Sequence, residues 1–123
     1  MQDPLITIIT VVLNDENNIE KTIQSVLGQK YKNIQYIIID GNSKDKTKNL
    51  INKYIDDIDV FISENDKGIY DAFNKGLQRA KGELIGFVNS GDTLTYDSLE
   101  ILVRYFNKFK DKDFFFGAVK KHW

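Results

Sequence analysis

Four short apolar runs, separated by stretches with a helical repeat, constrain the fold of this chain more than any other feature. Residues 6–12, 34–39, 58–62 and 84–88 are rich in Ile, Val, Phe and Tyr, the residue types that suit a pleated, half-buried surface. Between them the apolar period changes from strand to helix. Ile19, Ile23, Val26 and Leu27 share one helical face, and Leu50, Ile51, Tyr54 and Ile55 share the next. A third helix opens at Gly68 and runs to about Ala80. A fourth runs from about Ser98 to Phe109, with Leu99, Leu102, Val103 and Phe106 inward, and Asp97 and Glu100 are spaced as a capping box. Residues 114–116 read as a fifth strand. Strands alternating with helices predict an α/β, Rossmann-like fold: a mostly parallel sheet flanked by helices, with right-handed crossovers.

Length and charge narrow the function classes. The 123 residues suffice for one modest core, so a single domain over 1–123 is expected. Lys plus Arg is 17 and Asp plus Glu is 18, giving 17 − 18 = −1, which argues against a nucleic-acid partner held by general positive charge. With no cysteine there is neither a disulfide framework nor a thiolate metal site. No stretch has the roughly 18–20 apolar residues of a membrane span, and the N-terminus lacks a signal-peptide pattern. A cytoplasmic domain is the default. Lys108, Lys110, Lys112, Lys120 and Lys121 lie among aromatics and read as a solvated face, with peripheral membrane contact the alternative.

The polar residues that end the strands point to a site. In a parallel sheet those ends share one edge, and ligands of open α/β sheets bind there. Asn14, Asp15 and Glu16 follow the first strand, Asp40 and Ser43 the second, and Asn89, Ser90 and Asp92 the fourth. Each loop alone is an ordinary turn or cap; together they make a ligand site. A lone acid there can hold a hard cation, and the cation a diphosphate. Asp66, Lys67, Asp71, Asn74 and Lys75 surround the start of the third helix, whose free amides favour an anion. Asp71 and Lys75 are also spaced to pair on the helix surface.

Four stretches carry a resemblance to a known family. They are Val11-Val-Leu-Asn-Asp-Glu16, Ile39-Asp-Gly-Asn-Ser-Lys-Asp-Lys-Thr47, Ser63-Glu-Asn-Asp-Lys-Gly-Ile-Tyr-Asp-Ala-Phe-Asn-Lys-Gly76 and Gly82-Glu-Leu-Ile-Gly-Phe-Val-Asn-Ser-Gly-Asp92. The chain resembles the nucleotide-binding half of a family 2 glycosyltransferase of the GT-A fold, from about Ile6 to Gly117. The resemblance implies transfer of a sugar, usually with inversion, from a nucleotide diphosphate sugar, here a UDP-sugar, to an acceptor hydroxyl in polysaccharide or glycoconjugate synthesis. It implies that Asp40 accepts from the N3–H of a uracil-type base. Asn14 and Glu16 line the base and ribose end, Asp71 contacts the sugar or diphosphate region, and Asn74 holds the helix against the nucleotide. Val12, Ser43, Asp66, Lys67, Gly68, Asn89, Ser90 and Gly91 complete the implied nucleotide site. Asp92 is the implied ligand of Mg²⁺ or Mn²⁺. The acceptor is implied to be a sugar or lipid-linked saccharide at the inner face of a membrane, with room for a homo-oligomer.

Departures from the family pattern carry expectations of their own. Ser90 stands where the metal motif often has its first acid, which leaves Asp92 as the charged ligand and predicts weak metal affinity without nucleotide. Asn42 replaces a common Gly with little consequence, since Asn tolerates the left-handed region. The catalytic base is implied to come from a segment beyond this chain, so the chain reads as stopping before the acceptor-binding part. Asp111 and Asp113 read as solvated and His122 as inert. A non-catalytic nucleotide-binding or assembly module on the same fold is the alternative reading. A receiver domain lacks its acid after the third strand, and a dinucleotide-dependent oxidoreductase lacks Gly-x-Gly-x-x-Gly after the first. A sugar nucleotidyltransferase lacks a Gly-rich basic loop there.

Overall fold

β-Branched runs become the strands, and helical repeats cover them on both faces. The computed structural model describes residues 3–108. In chain order these form β1 (Ile6–Val12), α1 (Ile19–Leu27), β2 (Ile34–Asp40), α2 (Thr47–Asn52), a 3-10 turn (Ile55–Asp57), β3 (Val60–Ser63), α3 (Ile69–Leu77), β4 (Leu84–Phe87) and α4 (Ser98–Lys108). The four strands are parallel, in the order β3-β2-β1-β4. β1 pairs with β2 from Ile6↔Ile34 to Val12↔Asp40, and with β4 from Ile6↔Leu84 to Ile9↔Phe87. Among the described residues, no helix is long and apolar enough to cross a membrane.

Strand alternation divides the core between the two faces. Ile6, Ile8 and Val12 pack with Tyr36 and Ile38 against Ile19, Ile23 and Val26 of α1, Ile51 of α2, and Leu99 and Val103 of α4. Ile9, Val11, Ile37 and Ile39 face α3 through Ala72 and Phe73. The Phe73 and Phe87 rings stand 4.8 Å apart, tilted by 58°. Polar groups inside the sheet are paired. Thr10 Oγ1 donates to the Val88 carbonyl at 2.6 Å and lies 2.9 Å from Tyr36 Oη. A threonine hydroxyl has one proton, and a carbonyl only accepts, so Tyr36 donates to Thr10. One hydroxyl thereby ties β2, β1 and the end of β4 together.

Several local features differ from the sequence reading, α3 among them, which ends at Leu77 rather than near Ala80. β3 starts at Val60 rather than Ile58: beside it the Asp59 amide donates to the Tyr36 carbonyl at 3.0 Å, but the Tyr36 amide is taken at 2.7 Å by the Asp59 carboxylate in place of a backbone carbonyl. α2 is short, and the 3-10 turn that follows leaves Ile55 exposed instead of on the helix face. Tyr54 anchors this region to α1 by donating to Glu20 Oε2 at 2.7 Å and accepting from Gln24 Nε2 at 2.9 Å. At the start of α4, the Leu99 amide donates to Gln29 Oε1 at 3.2 Å. Glu100 turns outward to Lys30 at 3.3 Å and Arg104 at 2.6 Å rather than reaching back to a cap. The fifth strand, Asp111, Asp113 and His122 lie outside the described residues.

Candidate functional site

Strand order places the site. From β1 the chain builds outward to β2 and β3 on one side, then returns to add β4 on the other. The order reverses between β1 and β4, and the carboxyl ends of strands splay apart at such a reversal. A cleft of about 450 Å³ opens there, lined by residues 11–15 at the end of β1 and just past it, Asp66, Gly68, Ile69 and Ala72 at the start of α3, and Asn89 and Ser90 after β4. A larger depression of about 640 Å³ lies at the opposite sheet edge, among Leu5, Gln35, Asp59, Arg79 and Lys81. Its polar groups are spent on structure: Gln35 bonds Thr7, the Arg79 carbonyl and the Lys81 amide. The smaller cleft, at the strand-order reversal, is the candidate site.

Of the residues singled out from sequence, Val12, Asn14, Asp15, Asp66, Gly68, Asn89 and Ser90 line this cleft. The others are outside its lining. Asp40 is fully buried. Its carboxylate accepts from the Ser43 amide at 2.9 Å, the Ser43 hydroxyl at 2.5 Å and the Ser63 hydroxyl at 2.7 Å. Ser43 in turn accepts the Asn14 amide at 2.8 Å, and Asn14 Oδ1 accepts the Lys44 amide at 2.7 Å. Asn14 and Asn42 both adopt positive φ, 49° and 67°, conformations that Asn tolerates. The Glu16 amide donates to Asp45 at 3.2 Å.

At α3, the Gly68 backbone has φ 114° and ψ −178°, a combination open essentially to glycine alone. That turn lets Asp71 accept the Lys67 amide at 2.9 Å and Asp66 accept the Gly68 amide at 3.2 Å. The Lys67 amide holds the Asp71 carboxyl below the ordinary aspartate range; partial burial opposes this and Lys75 adds to it. Lys75 pairs with Asp71 at 3.5 Å, as the spacing predicts, and with Glu64 at 3.2 Å. Asn74 lies on the body of α3 outside the cleft lining.

The β4 loop is held by α1. Thr22 Oγ1 donates to the Asp92 carbonyl at 2.7 Å and accepts the Gly91 amide at 3.0 Å. Ser25 Oγ accepts the Leu94 amide at 3.1 Å, and Gln29 Nε2 donates to the Thr95 carbonyl at 2.6 Å. These three residues form a polar stripe at helical spacing inside a buried face. That spacing was visible in the sequence, and only the loop it binds was not. Asp15, one of the polar residues that follow β1 in the sequence reading, supports the other side: it accepts the Ser90 hydroxyl at 2.7 Å and Asn18 Nδ2 at 2.8 Å. The two loops on either side of the cleft are thus joined through one carboxylate.

The donor set near Asp92 consists of oxygens. Asp92 is 9% exposed, and Asn89 Oδ1 is buried without a hydrogen-bond partner. Among the described residues no group of three or more His, Cys, Asp or Glu converges. Such a set suits a hard divalent cation only where a bound ligand brings further oxygens, the usual situation for Mg²⁺.

A parallel α/β sheet with a polar cleft at its strand-order reversal defines a nucleotide-binding class of fold. The chain belongs to glycosyl transferase family 2, whose family model matches residues 7–122. An uncharacterized glycosyltransferase of Rickettsia typhi is 36% identical over 110 residues, covering 89% of this chain and 34% of its own length. A Bacillus subtilis glycosyltransferase named for teichuronic acid biosynthesis is 38% identical over 100 residues, covering 79% of this chain and 40% of its own. The chain therefore spans about a third to two-fifths of these relatives. Staphylococcus aureus TarS in complex with UDP-GlcNAc superposes with a TM-score of 0.79 at 22% identity, over 85% of this chain and 32% of TarS. The mannosyltransferase PcManGT of Pyrobaculum calidifontis, in complex with GDP-Man and Mn²⁺, gives 0.76 at 22% identity, over 84% of this chain and 32% of its own. These two likenesses establish the GT-A fold.

Proposed function

We propose that this chain is the donor-binding part of a glycosyltransferase. The enzyme moves a sugar from a nucleotide diphosphate sugar, read here as a UDP-sugar, to an acceptor hydroxyl. The observation that carries the reading is the cleft at the β1–β4 reversal, where two loops and a helix start converge. Family membership supports the reaction class. UDP-GlcNAc on TarS, and GDP-Man with Mn²⁺ on PcManGT, support a nucleotide-sugar donor and a divalent cation. The teichuronic acid relative supports a place in polysaccharide synthesis, and a lipid-linked acceptor would bring the enzyme to the inner face of a membrane.

In this reading Asn14, Ser43 and Asp40 shape the floor of the base and ribose subsite. Lys67 and Asp71 order the start of α3 at the diphosphate, with Asn74 and Glu16 in support. Asn89, Ser90, Gly91 and Asp92 form the wall facing the phosphates. The acceptor oxygen attacks the anomeric carbon as the bond to the diphosphate oxygen breaks, inverting that centre. A divalent cation held by Asp92 would neutralise charge on the leaving diphosphate. No residue of this chain is assigned as the base that takes the acceptor proton.

Calorimetric titration with UDP, with and without Mn²⁺, tests the reading beside Asp92→Ala. Metal-dependent binding that weakens in the variant supports it. Binding that is absent under every condition, or indifferent to both metal and Asp92, removes it.

A further inference from the structure

We infer that Thr22, a residue of α1 outside the cleft lining, is a positioning residue for the donor site. Its hydroxyl aims Asp92, and so sets how strongly a divalent cation and the nucleotide reinforce each other's binding. This rests on the donor-site reading above and adds to it a residue that touches neither ligand.

The loop after β4 does not fix its own course. Gly91 has φ 95°, and glycine has the widest backbone freedom of any residue. The Asp92 amide donates to the Asn89 carbonyl at 2.9 Å, which closes a turn within the loop. The Ser90 amide still donates to the Val11 carbonyl of β1 at 3.2 Å. Past that point the bonds come from α1 and the residues just after it.

Thr22 makes the bonds that reach Asp92 itself. Its Oγ1 accepts the Gly91 amide at 3.0 Å and donates to the Asp92 carbonyl at 2.7 Å. These two main-chain groups stand on either side of the Asp92 Cα, so together they set the direction of its Cα–Cβ bond. Ser25 and Gln29 act further along, on the Leu94 amide and the Thr95 carbonyl.

The chemistry of Thr22 suits the task. A threonine hydroxyl in a helix can bond the carbonyl one turn back. It has only one proton, and here that proton goes across to the loop. Thr22 is fully buried, so no water replaces either partner. Branching at Cβ stiffens its side chain. Its helix is locked to the sheet by Ile19, Ile23 and Val26, all fully buried. A rigid element therefore holds the one charged residue assigned to the cation. A small divalent cation demands close geometry from its oxygens, and groups that orient a metal ligand from behind are worth about 10–100-fold in metal affinity.

The test is calorimetric titration of the full chain with UDP, with and without Mn²⁺. The reading is the ratio of the two dissociation constants, beside the melting temperature. Thr22→Val keeps the shape and removes both bonds; it is expected to shrink the ratio by about tenfold, whereas Thr22→Ser keeps the hydroxyl and stays within about twofold of wild type. Thr22→Ala removes the same bonds without setting a methyl against the loop backbone, and supplies the ratio should Thr22→Val not fold. Ser25→Ala strips the same loop of its Leu94 bond, and is expected to lower the melting temperature with the ratio held within about twofold. A merely structural threonine would lower the melting temperature and leave the ratio alone, and that result overturns the inference while the donor site stands. So does a ratio that collapses equally in Ser25→Ala, since any slackening of the loop would then suffice. A wild-type ratio near one, or a high ratio that Asp92→Ala leaves intact, removes the donor-site role of Asp92 and this inference with it.

Discussion

At the residue scale, the polar groups inside the sheet decide whether the two site loops stay aligned. Thr10→Val keeps shape but removes the acceptor for Tyr36 and the donor to Val88. Each buried group left unpaired costs roughly 1–3 kcal/mol, so a loss of that size in urea unfolding is expected. Burial pushes the Tyr36 phenol far above its usual range against the opposing Thr10 bond, so no tyrosine titration masks the effect. Asp45 gives a pH signature. The Thr47 hydroxyl bond leads in lowering its carboxyl below the ordinary value of 3.8; partial burial opposes this, and the Thr47 and Glu16 amides add to it. A depressed carboxyl contributes stability above its unfolded pKa and loses it as pH falls through the folded value. Urea midpoints of wild type and Asp45→Asn should therefore differ by a constant amount from pH 6 to 8 and converge below about pH 4. Residue-level expectations from sequence succeed where the cause is local, as with Asn42, whose φ is 67°. They do not reach the partners of Thr10 and Asp40, since Val88 and Ser63 lie 78 and 23 residues further along the chain.

At the element scale, glycine spacing sets how closely α3 approaches β1. A Cβ on Gly76 would fall 2.7 Å from Ile9 Cγ2 and 3.1 Å from Cδ1. Ile9 is fully buried and branched at Cβ, so it has little room to yield. On an exposed helix, Gly→Ala stabilises by about 1 kcal/mol; here overpacking of about 1–3 kcal/mol opposes it. The expected result for Gly76→Ala is net destabilisation, read as a lower melting temperature, and a rise would show that the helix shifts freely on the sheet. The strands were legible in sequence because their β-branched runs are continuous, and β1 has the boundaries its pattern predicts. The start of α4 at Ser98 was legible too, but its polar partner was not, because Gln29, just past the end of α1, accepts the Leu99 amide where local spacing pointed to Asp97 and Glu100. A capping box is a local signature, and a buried side chain distant in the sequence takes its place.

At the scale of the whole molecule, the site is a product of strand order. The polar strand ends were readable one by one, but no local pattern says that β4 lies beside β1 rather than beyond β3. That adjacency brings Ser90 to Asp15 and closes the cleft. Because both loops contribute, ligand binding should be linked to global stability. A ligand at a hundred times its dissociation constant stabilises the folded state by about 2.7 kcal/mol, roughly a 10 °C rise in melting temperature for a domain of this size. Mn²⁺ alone should produce almost none of that rise, since among the described residues Asp92 belongs to no group of three or more acids or imidazoles. UDP alone should produce part of it, and the pair more than the sum of the two, because the diphosphate supplies the missing oxygens. Asp92→Ala should remove the excess over additivity while keeping the response to UDP alone. Additive shifts in the wild type would mean that metal and nucleotide occupy separate places, and the role given to the loop after β4 would have to be withdrawn.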